Sequence, residues 1–188
     1  MKERNMVDRD AGPTQYDAHS HCHFCGSMLK YAKAHDGGLE CYQCRNTNYQ
    51  NPTPVGVLII PAGPGKIFAV RRGIEPFIGR LALPGGFVLS GESWQRAAVR
   101  ETNEELNIAV CHQRDAETKV EHILTDSTPD GRRILIIGTA LAFYVGAFVP
   151  NKEATERVEY PLDGTGEKLC FPIHEKAVDL YYKEMMEW

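Results

Sequence analysis

Apolar and polar positions divide the chain into short apolar runs separated by glycine- and proline-rich breaks. Val55 to Pro61 and Lys66 to Arg71 flank Ala62-Gly-Pro-Gly65 and predict two strands joined as a hairpin. A loop from Gly73 to Arg80 feeds Leu81-Ala-Leu-Pro84-Gly85-Gly86. From Trp94 the period lengthens to that of a helix. Val99, Thr102 and Leu106 form an apolar stripe, Trp94, Ala97 and Ala98 lie beside it, and Gln95, Arg96, Arg100 and Asn103 are left for water. Strands are predicted at about 108–113 and 119–126, then a Pro129-Asp130-Gly131 turn, a long strand from Ile134, and one more from Glu153 to Tyr160. Ile173, Ala177, Leu180, Tyr181 and Met185 recur at helical spacing and predict a terminal helix. Strands around one central and one terminal helix give an α+β sandwich.

Ile134 to Val149 is an uncharged, mostly apolar run, but a membrane span needs about 20 such residues. Gly138, Gly146 and the β-branched residues predict a buried strand instead. Residues 1–18 are polar and mixed in charge, with no apolar core of a signal peptide, so a disordered segment and a cytoplasmic protein without membrane contact are expected. The 188 residues, 43% hydrophobic, suffice for one ordinary domain beside a small module, the boundary falling near Asn51-Pro-Thr-Pro54. A net charge of −4 argues against a nucleic-acid-coating surface, so an anionic substrate would need local arginines or a metal ion.

The central helix carries Glu101, Glu104 and Glu105. At about 100° per residue, Glu105 lies roughly 40° and Glu104 roughly −60° from Glu101, so the three share one side. A glutamate-rich face is commonly just solvated, but this one continues a partly covered face at the lip of the core. Like charges at that spacing repel, and no lysine lies on that side to offset them. Hard oxygen donors suit Mg²⁺ or Mn²⁺.

Four of the six cysteines fall in one spacing, Cys22-x2-Cys25-x15-Cys41-x2-Cys44. Paired knuckles of this kind predict a structural zinc ribbon over residues 19–50, in preference to disulfides, which a reducing compartment disfavours. His19, His21, His23 and His35 in the same module are read as surface residues, and Cys111 and Cys170 as small buried hydrophobes. So small a module would draw its folding energy from the metal.

Gly86, Glu92, Arg100, Glu101, Glu104, Glu105 and Ile108 match G-x5-E-x7-R-E-U-x-E-E-x-G-U, where U is aliphatic. The segment thus resembles the Nudix box, with Thr102 where an aliphatic residue is usual and Asn107 in place of the second glycine. Asparagine tolerates left-handed backbone, so the helix can still end there. The resemblance implies a Nudix α/β/α sandwich over residues 51–188 and hydrolysis of a nucleoside diphosphate linked to another moiety. It implies metal binding by Glu101, Glu104 and Glu105, with the Gly85 carbonyl a candidate ligand and Glu153 or Glu156 the candidate loop acid. Glu101 or the loop acid would be the base, Arg100 would orient the glutamates, and Glu92 would support the helix start. Arg71, Arg72 and Arg80 are candidate phosphate contacts, with Gly86 and Phe87 the remaining candidate substrate-binding residues.

Nudix NADH diphosphatases, which also carry a zinc ribbon, have an SQPWPFPxS motif that is absent between Ala109 and Pro150. The proline of many ADP-ribose diphosphatases past the box is absent too. The ribbon joined to the box domain, with Leu169-Cys-Phe-Pro-Ile-His174, is similar to ribbon-bearing Nudix enzymes acting on FAD and ADP-ribose. The expected partner is therefore a nucleotide-type small molecule, with a homodimer left open. Two alternatives stand beside it. One is an enzyme acting on nucleotide-capped RNA, for which Lys30, Lys33 and Arg45 are a thin basic footprint. The other is a non-catalytic nucleotide sensor, which would be expected to have lost the box acids.

Overall fold

The computed structural model describes residues 21–29, 33–35, 38–49 and 51–186. The segment 1–18 expected to be disordered, with His19 and Lys30, lies outside the described residues. The chain divides into two compact units, Met1–Asn51 and Pro52–Trp188. Among the described residues no helix is long and apolar enough to cross a membrane.

In the first unit, β1 (Lys33–His35), β2 (Gly38–Glu40) and β3 (Thr47–Tyr49) form an antiparallel sheet in that order. Among the described residues its apolar core is Cys22, Leu29 and Cys41, with Leu39 and Cys44 packed against them. So small a core rarely stabilises a fold without a staple.

The second unit begins with β4 (Thr53–Ile59), β5 (Pro61–Gly63), β6 (Lys66–Arg72), β7 (Leu81–Ala82) and β8 (Gly85–Phe87). Helix α1 (Trp94–Leu106), β9 (Ile108–Ala109) and the one-turn α2 (Ala116–Lys119) follow. The chain ends with β10 (Glu121–Ser127), β11 (Arg133–Thr139), β12 (Tyr144–Val145), β13 (Ala154–Pro161) and α3 (Pro172–Met186). One sheet runs β10-β11-β4-β8, with β11 parallel to β4 and Ile137 opposite Val57. A second holds β13, β6 and β5, with β7 also on β6.

Strand β4 is the centre of the unit. Val57 and Ile59 point into a core shared with Leu135, Ile137 and, from α3, Ala177, Val178 and Tyr181. Leu58 and Ile60 point the other way, onto Ala98, Val99 and Leu106 of α1. A strand covered by a helix on each face reads as a continuous apolar run, here Val57-Leu-Ile-Ile60. Helix α1 crosses β4 so closely that a Cβ at Gly56 would lie 2.5 Å from the Trp94 carbonyl oxygen.

Four expectations are corrected. The runs 55–61 and 66–71 do not form one hairpin: both edges of β4 are taken, by β11 and β8, so β6 joins the second sheet and only β5 turns back on it. The strand expected at 108–113 stops at Ala109, and residues 113–119 form 3-10 and α-helical turns. The long strand from Ile134 ends at Thr139, where its partner β4 ends at Ile59. Beyond it the run leaves β4, pairing only at Tyr144 and Val145 with β9 among the described residues, and Leu141 (77% exposed) and Phe143 (67%) face solvent. In α3 the buried stripe is His174, Ala177, Val178 and Tyr181, whereas Met185 is exposed.

Helix α1 buries Val99, Thr102 and Leu106 as its stripe requires. It is capped by the Ser93 hydroxyl, which accepts from the Arg96 N–H at 3.3 Å, and ends at Asn107 in the left-handed region (φ 52°). Arg157 donates to the Leu106 carbonyl at 2.9 Å, satisfying an acceptor at the helix end. Thr102 Oγ1, fully buried, finds no hydrogen-bond partner among the described residues. Valine has nearly the same shape without the hydroxyl, so Thr102→Val is expected to stabilise the protein by about 1–2 kcal/mol. Equilibrium denaturation should give a higher midpoint with an unchanged slope; a lower midpoint would mean the hydroxyl is satisfied.

Candidate active site

Box glycine Gly86 sits on β8 opposite Gly56 of β4, and a Cβ there would lie 2.3 Å from the Glu101 carboxylate. Only a residue without a side chain lets Glu101 lie against the strand. Glu105, one turn on, is 8% exposed and accepts the Gly85 N–H at 2.9 Å. Glu153 arrives from the loop before β13. Asn151 Oδ1 accepts from the N–H groups of Glu153 and Ala154, both at 2.8 Å, while Asn151 Nδ2 donates to the Glu104 carbonyl at 3.1 Å, tying the loop to α1. Carboxylate oxygens of Glu101, Glu105 and Glu153 lie within 4.8 Å of one another.

Glu104 is not in this group. Its side chain is 57% exposed and meets Arg100 Nη1 at 3.3 Å. Arg100, expected to face water, is only 22% exposed. Its Nε and Nη2 each donate to Glu92 at 3.0 Å, its Nη1 donates to Glu101 at 2.7 Å, and Nη2 also reaches the Phe87 carbonyl at 3.1 Å. Glu92 lies in the turn before α1, where it also accepts the Leu89 N–H. One guanidinium thus fixes Glu92, Glu101 and the loop after β8 together.

The electrostatics follow from that geometry. Burial, with the charges of Glu101 and Glu153 added, pushes the Glu105 carboxyl up to about 8 against the opposing Gly85 N–H. Burial also raises Glu101, opposed by Arg100. Glu92 is lowered by its hydrogen bonds from Arg100. Three carboxylates at one point, one of them too buried to ionise freely, make a donor set that a cation would complete. Hard carboxylate oxygens gathered within 4.8 Å of one another are the donor type that would suit Mg²⁺ or Mn²⁺.

The acids sit in a cleft of about 640 Å³ that Gly86, Phe87 and Arg72 also line. Arg72 donates to the Pro76 carbonyl at 2.7 Å, and its guanidinium lies over the Phe171 ring at 5.2 Å. Arg71 and Arg80 do not line the cleft: both are held by Glu167, at 3.1 and 3.0 Å, and Arg71 also meets Glu156 at 2.6 Å. The same ion pair takes Glu156 out of consideration beside Glu153. Gly85 meets the acids through its N–H.

Four lining residues escaped the sequence reading: Arg133, whose guanidinium lies 5.8 Å over Phe87, Lys176, paired with Asp126 at 2.7 Å, and Phe171 and His174. The Leu169-Cys-Phe-Pro-Ile-His174 segment was the available signal for the last two.

The other cluster is the four cysteines. Sγ atoms of Cys22 and Cys44 are 3.6 Å apart, those of Cys25 and Cys41 3.7 Å, and all four lie within 4.8 Å of one another. A tetrahedron of thiolates ~2.3 Å from an ion has edges of roughly 3.8 Å, so the group fits one. The two knuckles are built alike. Gly26 N–H donates to the Cys22 carbonyl and Arg45 N–H to the Cys41 carbonyl, at 2.9 and 2.8 Å, and both Gly26 and Arg45 have positive φ. The Ser27 hydroxyl, 3.0 Å away, and backbone N–H groups hold the Cys41 thiol down to about 6.

The sequence profile of the NUDIX domain matches residues 51–182. An ADP-ribose pyrophosphatase of Methanocaldococcus jannaschii is 34% identical over 128 residues, 65% of this chain and 67% of that one. An NAD-capped RNA hydrolase, NudC, of Pseudomonas aeruginosa is 25% identical over 139 residues, 74% of this chain, but this chain spans only 46% of that protein's length. Among solved structures, a NUDIX hydrolase from Nitrosomonas europaea superposes with a TM-score of 0.69 at 24% identity, covering 89% of this chain and 93% of that one. With the profile covering most of the chain, the chain belongs to the Nudix family.

Proposed function

We propose that this cleft hydrolyses the diphosphate of a nucleoside diphosphate linked to another moiety, with ADP-ribose or FAD the favoured substrates. The observation that carries the proposal is the convergence of Glu101, Glu105 and Glu153 at one end of the cleft. These three, with the Gly85 carbonyl as a candidate fourth donor, would hold Mg²⁺ or Mn²⁺. Such an ion would polarise a phosphoryl oxygen and lower the pKa of water nearby. Glu104 takes the role of an outer partner of Arg100 rather than a ligand.

The chain's own groups do the rest. Arg100 holds Glu101 in a fixed rotamer through its 2.7 Å bond. Burial makes Glu101 more basic than an exposed glutamate, which suits it to take the proton of the attacking water. Arg72, locked by backbone carbonyls and Phe171, sets a fixed positive charge in the cleft for the diphosphate. Water adds to one phosphorus, the bridging P–O bond breaks, and two monophosphates leave.

The similarity to an ADP-ribose pyrophosphatase and the missing NADH motif support this substrate class. The similarity to NudC favours capped RNA as a second reading. Turnover should therefore be compared across ADP-ribose, FAD, NADH and an NAD-capped oligoribonucleotide with Mg²⁺ present. ADP-ribose or FAD should give the highest kcat/KM; a clear preference for NADH or capped RNA would contradict the proposal.

For the first unit, we propose one structural zinc on Cys22, Cys25, Cys41 and Cys44. Elemental analysis should find one zinc per chain, and Cys41→Ser should lose it. Full zinc occupancy in that variant would refute the ligand set.

Glu105→Gln gives two readouts. Removing a charged donor from the reacting centre should cut kcat about 10²–10³-fold. The second readout is stability without metal. The folded-state value of about 8 stands above the ordinary 4.5, so the contribution of Glu105 is fully present below pH 4.5 and is lost as pH rises through 8. The metal-free wild type should accordingly lose stability relative to Glu105→Gln over that interval in denaturant midpoints. A wild type that gains on the variant as pH rises would contradict the assigned burial.

A further inference from the structure

His174 is a polar residue that the mechanism above does not use, yet it lines the cleft while being only 4% exposed. It stands in the first turn of α3, among positions that otherwise read as a core stripe. Its ring is fixed from two directions. The Leu83 N–H donates to Nδ1 at 3.1 Å, and the Phe171 ring packs against the imidazole at a centroid distance of 4.9 Å. Phe171 is in turn held by Phe77 edge-on at 5.5 Å and by the Arg72 guanidinium.

A ring nitrogen that accepts a backbone N–H carries no proton of its own, so in the neutral ring the proton is on Nε2. Burial, followed by the nearby charge of Arg72, keeps the ring neutral by pulling it down to about 3. The ring therefore offers one N–H and no charge. Among the described residues no protein group accepts from Nε2, and Nε2 is not one of the buried polar atoms left without a partner, so it opens onto the cleft and is free to donate to what the cleft holds. The wall around it is apolar, with Leu83, Ile173 and Leu135 also lining the cleft. An uncharged donor in an apolar wall suits a neutral acceptor on a flat, poorly hydrated group. A phosphate would be better served by Arg72.

The geometry points to His174 as a substrate-binding residue: Nε2–H donates to a carbonyl oxygen or ring nitrogen on the base or flavin end of the substrate. This inference rests on the function proposed for the cleft and adds an uncharged donor, beside the Phe171 ring that Arg72 also packs on, for the group the diphosphate carries.

The test uses the full-length protein with Mg²⁺ and compares wild type, His174→Phe and His174→Gln on ADP-ribose and FAD. His174→Phe keeps a ring in the wall and removes the donor, so KM should rise about three- to tenfold for at least one substrate, with kcat changed less than twofold. His174→Gln, which keeps an N–H donor, should recover part of the loss. Nitrogen NMR of the histidine rings in the wild type reads the bond without turnover and without a variant. On adding ADP-ribose or FAD, Nε2 of His174 should shift while Nδ1 stays bonded to Leu83. An Nε2 shift in a protein that hydrolyses neither compound would leave this inference standing and overturn the proposed reaction. Hydrolysis with unchanged KM in His174→Phe and an unmoved Nε2 would overturn the inference and leave the reaction. Failure of both compounds to bind would overturn the inference as well.

Discussion

Glu105 is buried beside two other carboxylates, and the rest of the second unit is arranged so that this can happen. A lone buried carboxylate is costly unless it is neutralised by a proton or a cation. The fold accepts the proton in the metal-free state and provides the geometry for a cation. Gly86 removes the side chain that would displace Glu101, and Gly56 lets α1 approach β4 closely. Arg100 compensates the outer acids, Glu92, Glu101 and Glu104, and leaves Glu105 and Glu153 to one another. Arg100 thus balances the periphery of the acidic group, not its centre.

The first unit applies the same logic with softer ligands. The apolar core formed by its described residues is too small to offset the entropy of ordering the chain, and two knuckles of matching hydrogen-bond pattern hold four sulfurs within 4.8 Å of one another.

How much of this was legible depended on whether the cause was local. The helical stripe, its left-handed stop at Asn107 and the cysteine spacing are short-range properties, and the sequence carries them in full view. The division between Glu104 and Glu105 does not follow from helical angles, since both lie within about 60° of Glu101. It is decided by β8, whose Gly85 N–H meets Glu105 and leaves Glu104 to water and Arg100. The choice between Glu153 and Glu156 is likewise a matter of register, because β13 sets Glu156 directly opposite Arg71. That pairing also explains why Arg71 stands off the cleft in a surface ion pair: neighbours on a strand point to opposite faces, so Arg71 and Arg72 do not share one side. His174 was hidden because a buried histidine at helical spacing looks like any core residue until its ring is seen to line a cavity.

The central claim is that Glu101, Glu105 and Glu153 form a divalent-ion site whose innermost acid is protonated when empty. Calorimetric titration of the protein with Mn²⁺ at pH 7, in two buffers of different ionisation enthalpy, tests it most directly. With Glu105 at about 8 in the metal-free protein, binding should release about one proton per ion, and Glu153→Gln should weaken the affinity at least tenfold. Binding with no proton released, or with the same affinity in Glu153→Gln, would contradict the account.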